Sequence, residues 1–414
     1  MNIKIARQQG SHYLKAGFET LGTYAPSLLQ NANPGFGFNG DATNSTCVNP
    51  NFGVSGNPYA SFLAGGVVPI GASASGWDTN GTSMPSLISP TFSSRFHGLF
   101  LNDDWKISKN LTLNLGIRWE YEQPYTEEQN RLTAPMDLAA PLPELAGARQ
   151  PAGLQQYYSG PWNLTGAFRF TTGDNRGAWN SDNGTWSPRA GFAYRLGDKM
   201  SLRAGFGRYV TPWTLGAEDQ FGPATQGFSN YTDAPPSVLG VPQMKLSDPF
   251  NSSFPIQPSI GNKYGIYTGI GGGVTFFAAN RPHPYSNRLN ISLQRQLPKG
   301  IVADVTYFLN RSSQVNNVSY NINQVDPRLS IQYGSATNAT VPNPFYHLAI
   351  PNPFPGSLWN QSMVGIISLA KPYPQYGNLT VIDGISGGNM TFHSLQVKVT
   401  KSYSAGFTLL AGYI

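Results

Sequence analysis

The sequence predicts an all-β chain: an antiparallel barrel wall that crosses a membrane on its strands and carries long loops on one side. Three observations predict it. Alternating strands recur as hairpins closed by very short polar turns. The opposite ends of those strands are joined by segments of about 60–75 residues rich in Gly, Pro, Asn and Ser. Charged residues make up only 12% of the chain, against a usual share of about a quarter.

The clearest hairpin runs from Leu99 to Glu122. Leu111, Leu113, Leu115, Ile117, Trp119 and Tyr121 alternate with Thr112, Asn114, Gly116, Arg118 and Glu120. A period of two with one apolar face is a strand with unlike surroundings on its two sides. Before it, Leu99, Leu101, Trp105 and Ile107 share one parity, interrupted by Asp103, and the turn is Ser108-Lys109-Asn110. An earlier, poorer copy places Ile3 and Ile5 before a turn at Gln8-Gln9-Gly10, with Leu14, Ala16 and Phe18 after it. The third copy has Ala190, Phe192, Tyr194 and Leu196, then Gly197-Asp198-Lys199, then Met200, Leu202, Ala204 and Phe206. In the fourth, Leu289, Ile291, Leu293 and Leu297 lead through Pro298-Lys299-Gly300 to Ile301, Ala303, Val305, Tyr307 and Leu309, with Arg295 breaking the series. The fifth has Leu395, Val397 and Val399 before Lys401 to Ala405, and Phe407, Leu409, Ala411 and Tyr413 after it. Five hairpins give ten candidate strands.

The long connections cover about Thr20–Ser94, Gln123–Thr185, Pro212–Pro284 and Ser312–Gly388. Typical hairpin loops have roughly 2–5 residues, and structureless loops of this length argue against a compact soluble domain. External loops of membrane barrels are long, so here they support the assignment. The run Tyr59-Ala60-Ser61-Phe62-Leu63-Ala64-Gly65 is expected to be a short helix folded over the barrel mouth.

Few charges and many aromatics fit a barrel with a neutral polar lumen and an aromatic girdle built from Trp105, Trp119, Tyr121, Tyr194, Tyr209 and Trp213. No stretch approaches the roughly 20 apolar residues of a spanning helix. Mean hydropathy is −0.28, the soluble-looking value that alternating strands produce. The net charge of +6 comes from scattered Lys and Arg, and no basic run with interleaved aromatics suggests a nucleic-acid partner. Arg118, Arg189, Arg203 and Arg295 are read as lumen or rim residues.

The run Phe96-His97-Gly98-Leu99-Phe100-Leu101-Asn102-Asp103-Asp104-Trp105-Lys106-Ile107, followed by Leu111 to Glu120, resembles the barrel of Oar-like TonB-dependent receptors. So do Ser187 to Tyr194, Leu202 to Gly207, Asn290 to Pro298 and Leu395 to Lys401. The resemblance covers the strands along nearly the whole chain and is weak in the loops. It implies a passive wall of a 22-stranded transporter, of which residues 1–414 supply about ten strands as a partial barrel domain. The plug, the regulatory-like N-terminal domain, the energy-coupling box, a signal peptide and the last strands are not found in the chain. Met1 to Arg7 already reads as strand and Tyr413-Ile414 stops inside a strand pattern, so the chain is expected to be a fragment.

The resemblance further implies outer-membrane lipid, the TonB energy-coupling complex (through the plug) and an unidentified transported ligand as partners. The location is the outer membrane of a Gram-negative bacterium. No catalytic, cofactor-binding or metal residues are assigned, and no enzyme activity is expected. The alternative is a soluble secreted β-rich protein that binds or cleaves glycans, for which strands would be spaced regularly.

Other candidate chemistry is weak. Asp103-Asp104 suggests a cation site or an acid pair, but a polar stretch near a turn is the simpler reading. Glu120 and Glu122 share a face as a glycosidase pair would, and are read instead as lumen or rim carboxylates. Gly269-Ile270-Gly271-Gly272-Gly273-Val274 lacks the Lys-Ser/Thr of a phosphate loop and is read as a flexible turn. His12, His97, His283, His347 and His393 show no metal spacing, and Cys47 is the only cysteine.

Overall fold

The computed structural model describes residues 1–26, 35–38, 40, 43, 56–67, 82–87, 90–162, 164–213, 225–235, 241–315, 319–351, 357–382, 387–404 and 406–414. Ten long strands form its wall: β1 (Asn2–Gln9), β2 (His12–Pro26), β3 (Thr91–Lys106), β4 (Leu111–Glu122), β5 (Asp182–Leu196), β6 (Met200–Val210), β7 (Tyr285–Leu297), β8 (Ile301–Val315), β9 (Gly388–Ser404) and β10 (Phe407–Tyr413). Each pairs antiparallel with its neighbour in this order, as one continuous sheet. The five expected hairpins and ten strands are therefore present. Among the described residues β1 and β10 are each paired on one side only, and no helix is long and apolar enough to cross a membrane.

The short turns follow from local chemistry. Gly10 and Gly197 adopt positive φ (59° and 68°), open to glycine at no steric cost. At the fourth turn Lys299 and Gly300 both do so (φ 63° and 68°) behind Pro298. In the second, the Ser108 hydroxyl accepts from the Asn110 and Leu111 amides, closing the turn with a side chain. The first turn falls at Gly10-Ser11 rather than at Gln8-Gln9-Gly10, because Gln8 and Gln9 still pair, with Tyr13 and His12. β9 continues past Lys401 to Ser404, so the fifth turn is also shorter than expected. At the far end β2 and β3 run on to Pro26 and from Thr91, well into the range read as loop.

The register is staggered as a barrel requires. One outward row passes through Arg7, Leu14, Asp103, Leu115, Ala190, Phe206, Leu289 and Leu309. Arg7 lies two residues from the turn end of β1, and Leu309 lies eight from that of β8. Six residues of climb over seven strand steps, at ~3.3 Å per residue and ~4.8 Å per step, correspond to a strand tilt of about 30°. Closed barrels tilt by about 35–45°.

The two faces differ as the alternation predicts. Leu113, Leu115, Ile117 and Trp119 lie on the face with Leu99, Leu101 and Trp186, whereas Thr112, Asn114, Arg118 and Glu120 lie on the opposite one. Leu101, Leu115, Ile117 and Trp186 are 44–52% exposed. A continuous apolar face left uncovered across a wide sheet is unstable in water and matched to hydrocarbon.

The other face carries glycines over which long neighbours lie. A Cβ on Gly17 would stand 2.5 Å from the Phe100 ring and 2.8 Å from the Ile3 carbonyl, and one on Gly98 would stand 2.7 Å from Arg118 Nη2. Gly17→Ala should therefore cost about 1–3 kcal/mol by overpacking. Gly22→Ala on the same strand, with nothing within 4 Å, should cost little. Chemical unfolding of the folded protein in micelles, with both variants side by side, checks the pair.

The long loops are not structureless. Parts of the second, third and fourth pack around a core of Phe168, Ile270, Phe276, Phe345, Trp359, Leu369, Tyr376 and Leu379. Thr133–Pro141 pairs with Thr165–Phe170, and Val274–Phe277 pairs in parallel with Leu379–Ile382. No periodicity announced this, because these strands are short or irregular in register and pair with segments far along the chain, up to about a hundred residues away for Val274–Phe277 and Leu379–Ile382. The helix Pro58–Leu63 forms as expected, capped by Asn57 Oδ1, which accepts from the Tyr59 and Ala60 amides.

Candidate functional site: the polar face and its cap

Alternation puts most of the charged residues of the wall on one face, where neighbouring strands bring opposite charges together. Arg118 donates to Glu120 at 2.6 Å and to Glu19 at 3.0 Å. Lys15 and Asn114 donate to Asp104 at 2.8 and 2.6 Å. Arg189 and Arg288 lie 4.8 and 4.7 Å from the centre of the Tyr209 ring. A cavity of about 360 Å³ opens among Asn2, Lys4, Glu19, Arg118, Glu120 and Arg189. This face is charged and paired, a correction to the neutral lumen that composition suggested. A chain with few charges has concentrated most of those on its wall here.

The loop layer closes over the upper end of this face. Phe92, Ser94, Glu122 and Ser187 point from it and are buried, at 1–5% exposure. Phe92 packs with Tyr125, Leu132, Ala178, Trp179, Phe277 and Ile382, and the Ser94 hydroxyl donates to the Gln123 carbonyl.

At the junction sits a buried knot. The His283 ring contacts Glu122 through Nε2 at 2.8 Å and Asp182 through Nδ1 at 3.4 Å. The Trp213 amide donates to Glu122 at 2.7 Å, and the Trp213 indole to the Arg281 carbonyl at 3.1 Å. The Arg281 guanidinium lies 4.1, 4.4 and 4.5 Å from the ring centres of Trp179, Trp213 and Phe277, a desolvated cation–π cage. β4, β5 and the third loop are tied together there. Nearby, burial and the Glu122 charge push the Tyr125 hydroxyl up to about 12, partly offset by Arg281. Burial alone would raise Glu127, but Arg131 and the Arg131, Gln129 and Thr91 amides outweigh it and hold its carboxyl low.

Burial opposes a charge on His283, yet the hydrogen bonds and charges of Glu122 and then Asp182 outweigh it, and its pKa is raised above 6.5. The sign follows from linkage. A raised histidine stabilises the folded knot fully below the ordinary value, and the contribution fades as pH rises through the raised one. Hydrogen exchange at amides 213 and 277–283, corrected for intrinsic rate, should therefore quicken at alkaline pH relative to pH 6. Equal protection at both would remove the histidine from the account.

The residues singled out in the sequence fall as follows. Asp103 and Asp104 point to opposite faces, Asp103 toward His12 at 2.8 Å and Asp104 toward Lys15, so they form no pair. Glu120 and Glu122 do share a face, but each is engaged by its own cation, Arg118 and His283. The glycine run is a packed turn rather than a flexible one: Ile270 is buried, and the Gly271 and Val274 amides donate to the Gln375 and Asn378 carbonyls. Trp105, Trp119, Tyr121 and Tyr194 lie on the apolar face, as a girdle requires. Tyr209 lies on the polar face because it shares parity with Gly207, and Trp213 is in the cap because the strand ends at Val210. His97 stacks between Phe18 and Tyr121, and His393 meets the Tyr307 hydroxyl at 2.6 Å. Arg295 lies on the outward face near the turn end. No group of three metal-ligating side chains exists among the described residues, and Cys47 lies outside them. The Arg281–His283 knot was missed, because its partners are spread over four separate segments.

A family model described as an outer membrane beta barrel domain matches residues 2–414. No curated protein matches the chain. Among solved structures it is similar to a mutant ferric enterobactin receptor from Pseudomonas aeruginosa, at 12% identity and a TM-score of 0.37, covering 98% of this chain and 33% of that one. The alcaligin outer membrane receptor from Bordetella pertussis matches at 8% identity and a TM-score of 0.32, covering 100% and 36%. A copper transporter matches at 7% identity and a TM-score of 0.36, covering 99% and 37%. The chain spans about a third of the length of each.

Proposed function

The chain belongs to the family of outer-membrane β-barrel domains, and on that footing we propose that it is part of the wall of an Oar-like, TonB-dependent receptor. In the outer membrane of a Gram-negative bacterium, its apolar face meets lipid and its loops lie outside. The proposed protein takes up an unidentified ligand, driven by the TonB complex acting on a plug held against the charged face. About ten of 22 strands would come from residues 1–414, as a partial barrel domain. The wall itself performs no chemistry on the ligand.

The observation that carries this reading is the pairing of a charged inner face with an ordered cap. A simple pore needs neither a folded loop layer nor a lock joining that layer to the wall. A receptor needs both, since a ligand is captured by loops and released inward.

The test is uptake by cells carrying the full-length gene, with and without the inner-membrane energy source. Uptake of labelled candidates (ferric siderophores, cobalamin, glycans, peptides) should require both the gene and the energy source. Gene-dependent uptake that persists in de-energised cells would identify a passive pore and overturn the proposal.

A further inference from the structure

The outward face of four adjacent strands changes chemistry along one register row. On β6 it reads Met200, Leu202, Ala204 and Phe206, then Arg208. On β7 Leu293, Ile291 and Leu289 give way to Asn287 and Tyr285, and on β8 Val305, Tyr307 and Leu309 give way to Arg311. On β9 Val397, Leu395 and His393 give way to Thr391. The register sets Arg208, Asn287, Arg311 and Thr391 opposite one another in a single row.

The row is built rather than scattered. Arg208 Nε donates to Asn287 Oδ1 at 3.1 Å, and its guanidinium lies 4.4 Å from the centre of the Tyr285 ring. That bond leaves the Asn287 amide nitrogen as a donor between the two arginines. Arg208 is half-buried and Arg311 exposed. Neither arginine takes part in any ion pair among the described residues. The four strands place no carboxylate on this face.

Its height identifies the partner. Arg208 is eight residues from the turn end of its strand, and Asn287 and Arg311 are ten from theirs. At ~3.3 Å per residue and a tilt of 30–45°, they stand about 19–29 Å above the turns. The apolar band of an outer-membrane barrel is about 25 Å tall. The row therefore sits where hydrocarbon ends and headgroups begin. Two arginines on alternate strands are about 10 Å apart at the backbone, within reach of one anion or of two on a single headgroup. Guanidinium recognises phosphate through paired hydrogen bonds, and stacking on Tyr285 holds Arg208 in place beforehand.

We propose that Arg208, Asn287 and Arg311 form a binding site for the phosphate of a lipid headgroup in the loop-side leaflet. The site rests on the membrane-spanning wall and not on which ligand the receptor takes up.

The test uses the full-length protein extracted from outer membranes in mild detergent. Native mass spectrometry counts the retained phosphorylated lipid, and titration then uses bis-phosphorylated lipid A, its dephosphorylated form and inorganic phosphate. The wild type should retain phosphorylated lipid through washing and rebind lipid A about tenfold or more tighter than Arg208→Gln/Arg311→Gln. Arg295→Gln, on the same face near the turns, should behave as wild type. The double lysine variant should fall between, keeping the charge without the fork. Dephosphorylated lipid should bind weakly to all. Heat-modifiable mobility confirms insertion; if the double variant fails it, the single Gln variants carry the comparison. Equal lipid A binding by inserted wild type and Gln variants would overturn the proposal. Displacement of the lipid by millimolar inorganic phosphate would also overturn it, showing a site for the free anion. Absence of the protein from the outer-membrane fraction would instead overturn the wall itself.

Discussion

Leu115→Arg is expected to destabilise the inserted wall by about 2–4 kcal/mol, whereas Asn114→Arg, one residue away, should cost far less. Leu115 is four residues from the start of β4, about 11 Å above the turns at ~3.3 Å per residue, and so near the middle of the apolar band. It is 44% exposed on a face with no protein over it, so an arginine there has only hydrocarbon to meet. Asn114 faces the other way and donates to Asp104, so an arginine in its place acquires a carboxylate. Propensity and strand position are nearly the same for the two sites, and only the face differs. Unfolding from lipid vesicles by denaturant measures both. Equal losses would mean that the two faces see the same surroundings.

The second large effect concerns the cap. His283 and Glu122 are both almost fully buried, with 6% and 4% of their side chains exposed. Removing one member of a buried ion pair costs about 3–5 kcal/mol, because the other is left without its partner. His283→Leu should therefore loosen the loop layer while the strands stay inserted. The readout is limited proteolysis in segments 211–213 and 277–284, with heat-modifiable mobility reporting on the wall. The double variant Glu122→Leu/His283→Leu should recover part of the loss, since replacing both partners with apolar groups is far cheaper than orphaning one. If His283→Leu unfolds wall and cap together, the knot belongs to the barrel and the cap is not a separable layer.

The wall was legible in the sequence for a physical reason. Each of its strands has one face in hydrocarbon and one in polar surroundings, which writes a period of two into residues such as Leu111 to Tyr121. Turn chemistry at Gly197-Asp198-Lys199 and Pro298-Lys299-Gly300 marked where adjacent strands meet. The cap left no such mark. Phe168, Phe276, Tyr376 and Leu379 are buried together but come from three different loops, and short strands packed on all sides carry no alternation. The same holds for the knot, in which Glu122 meets His283 across 161 positions. Two aromatics were misread for different reasons: Tyr209 lies in its strand but on the opposite parity from Phe206, and Trp213 lies beyond the strand's end. The outward row was not read in the sequence, where its residues lie beyond the apolar runs that end at Phe206, Leu289 and Leu309. It becomes a row only through the register, since Arg208, Asn287 and Arg311 pair opposite one another in a way that their spacing along the chain conceals.

The most direct test of the account is a nitroxide scan of positions 111–121 in the membrane-inserted protein, in a Cys47→Ser background. Collision rates with molecular oxygen, which dissolves in lipid, and with a water-soluble nickel chelate report the surroundings of each label. Oxygen access should peak at 113, 115, 117 and 119, and chelate access should peak, to whatever extent the cap admits it, at 112, 114, 116 and 118. The two profiles should run out of phase with a period of two. In-phase profiles, or chelate access at Leu115 equal to that at Asn114, would contradict a wall with one face in lipid.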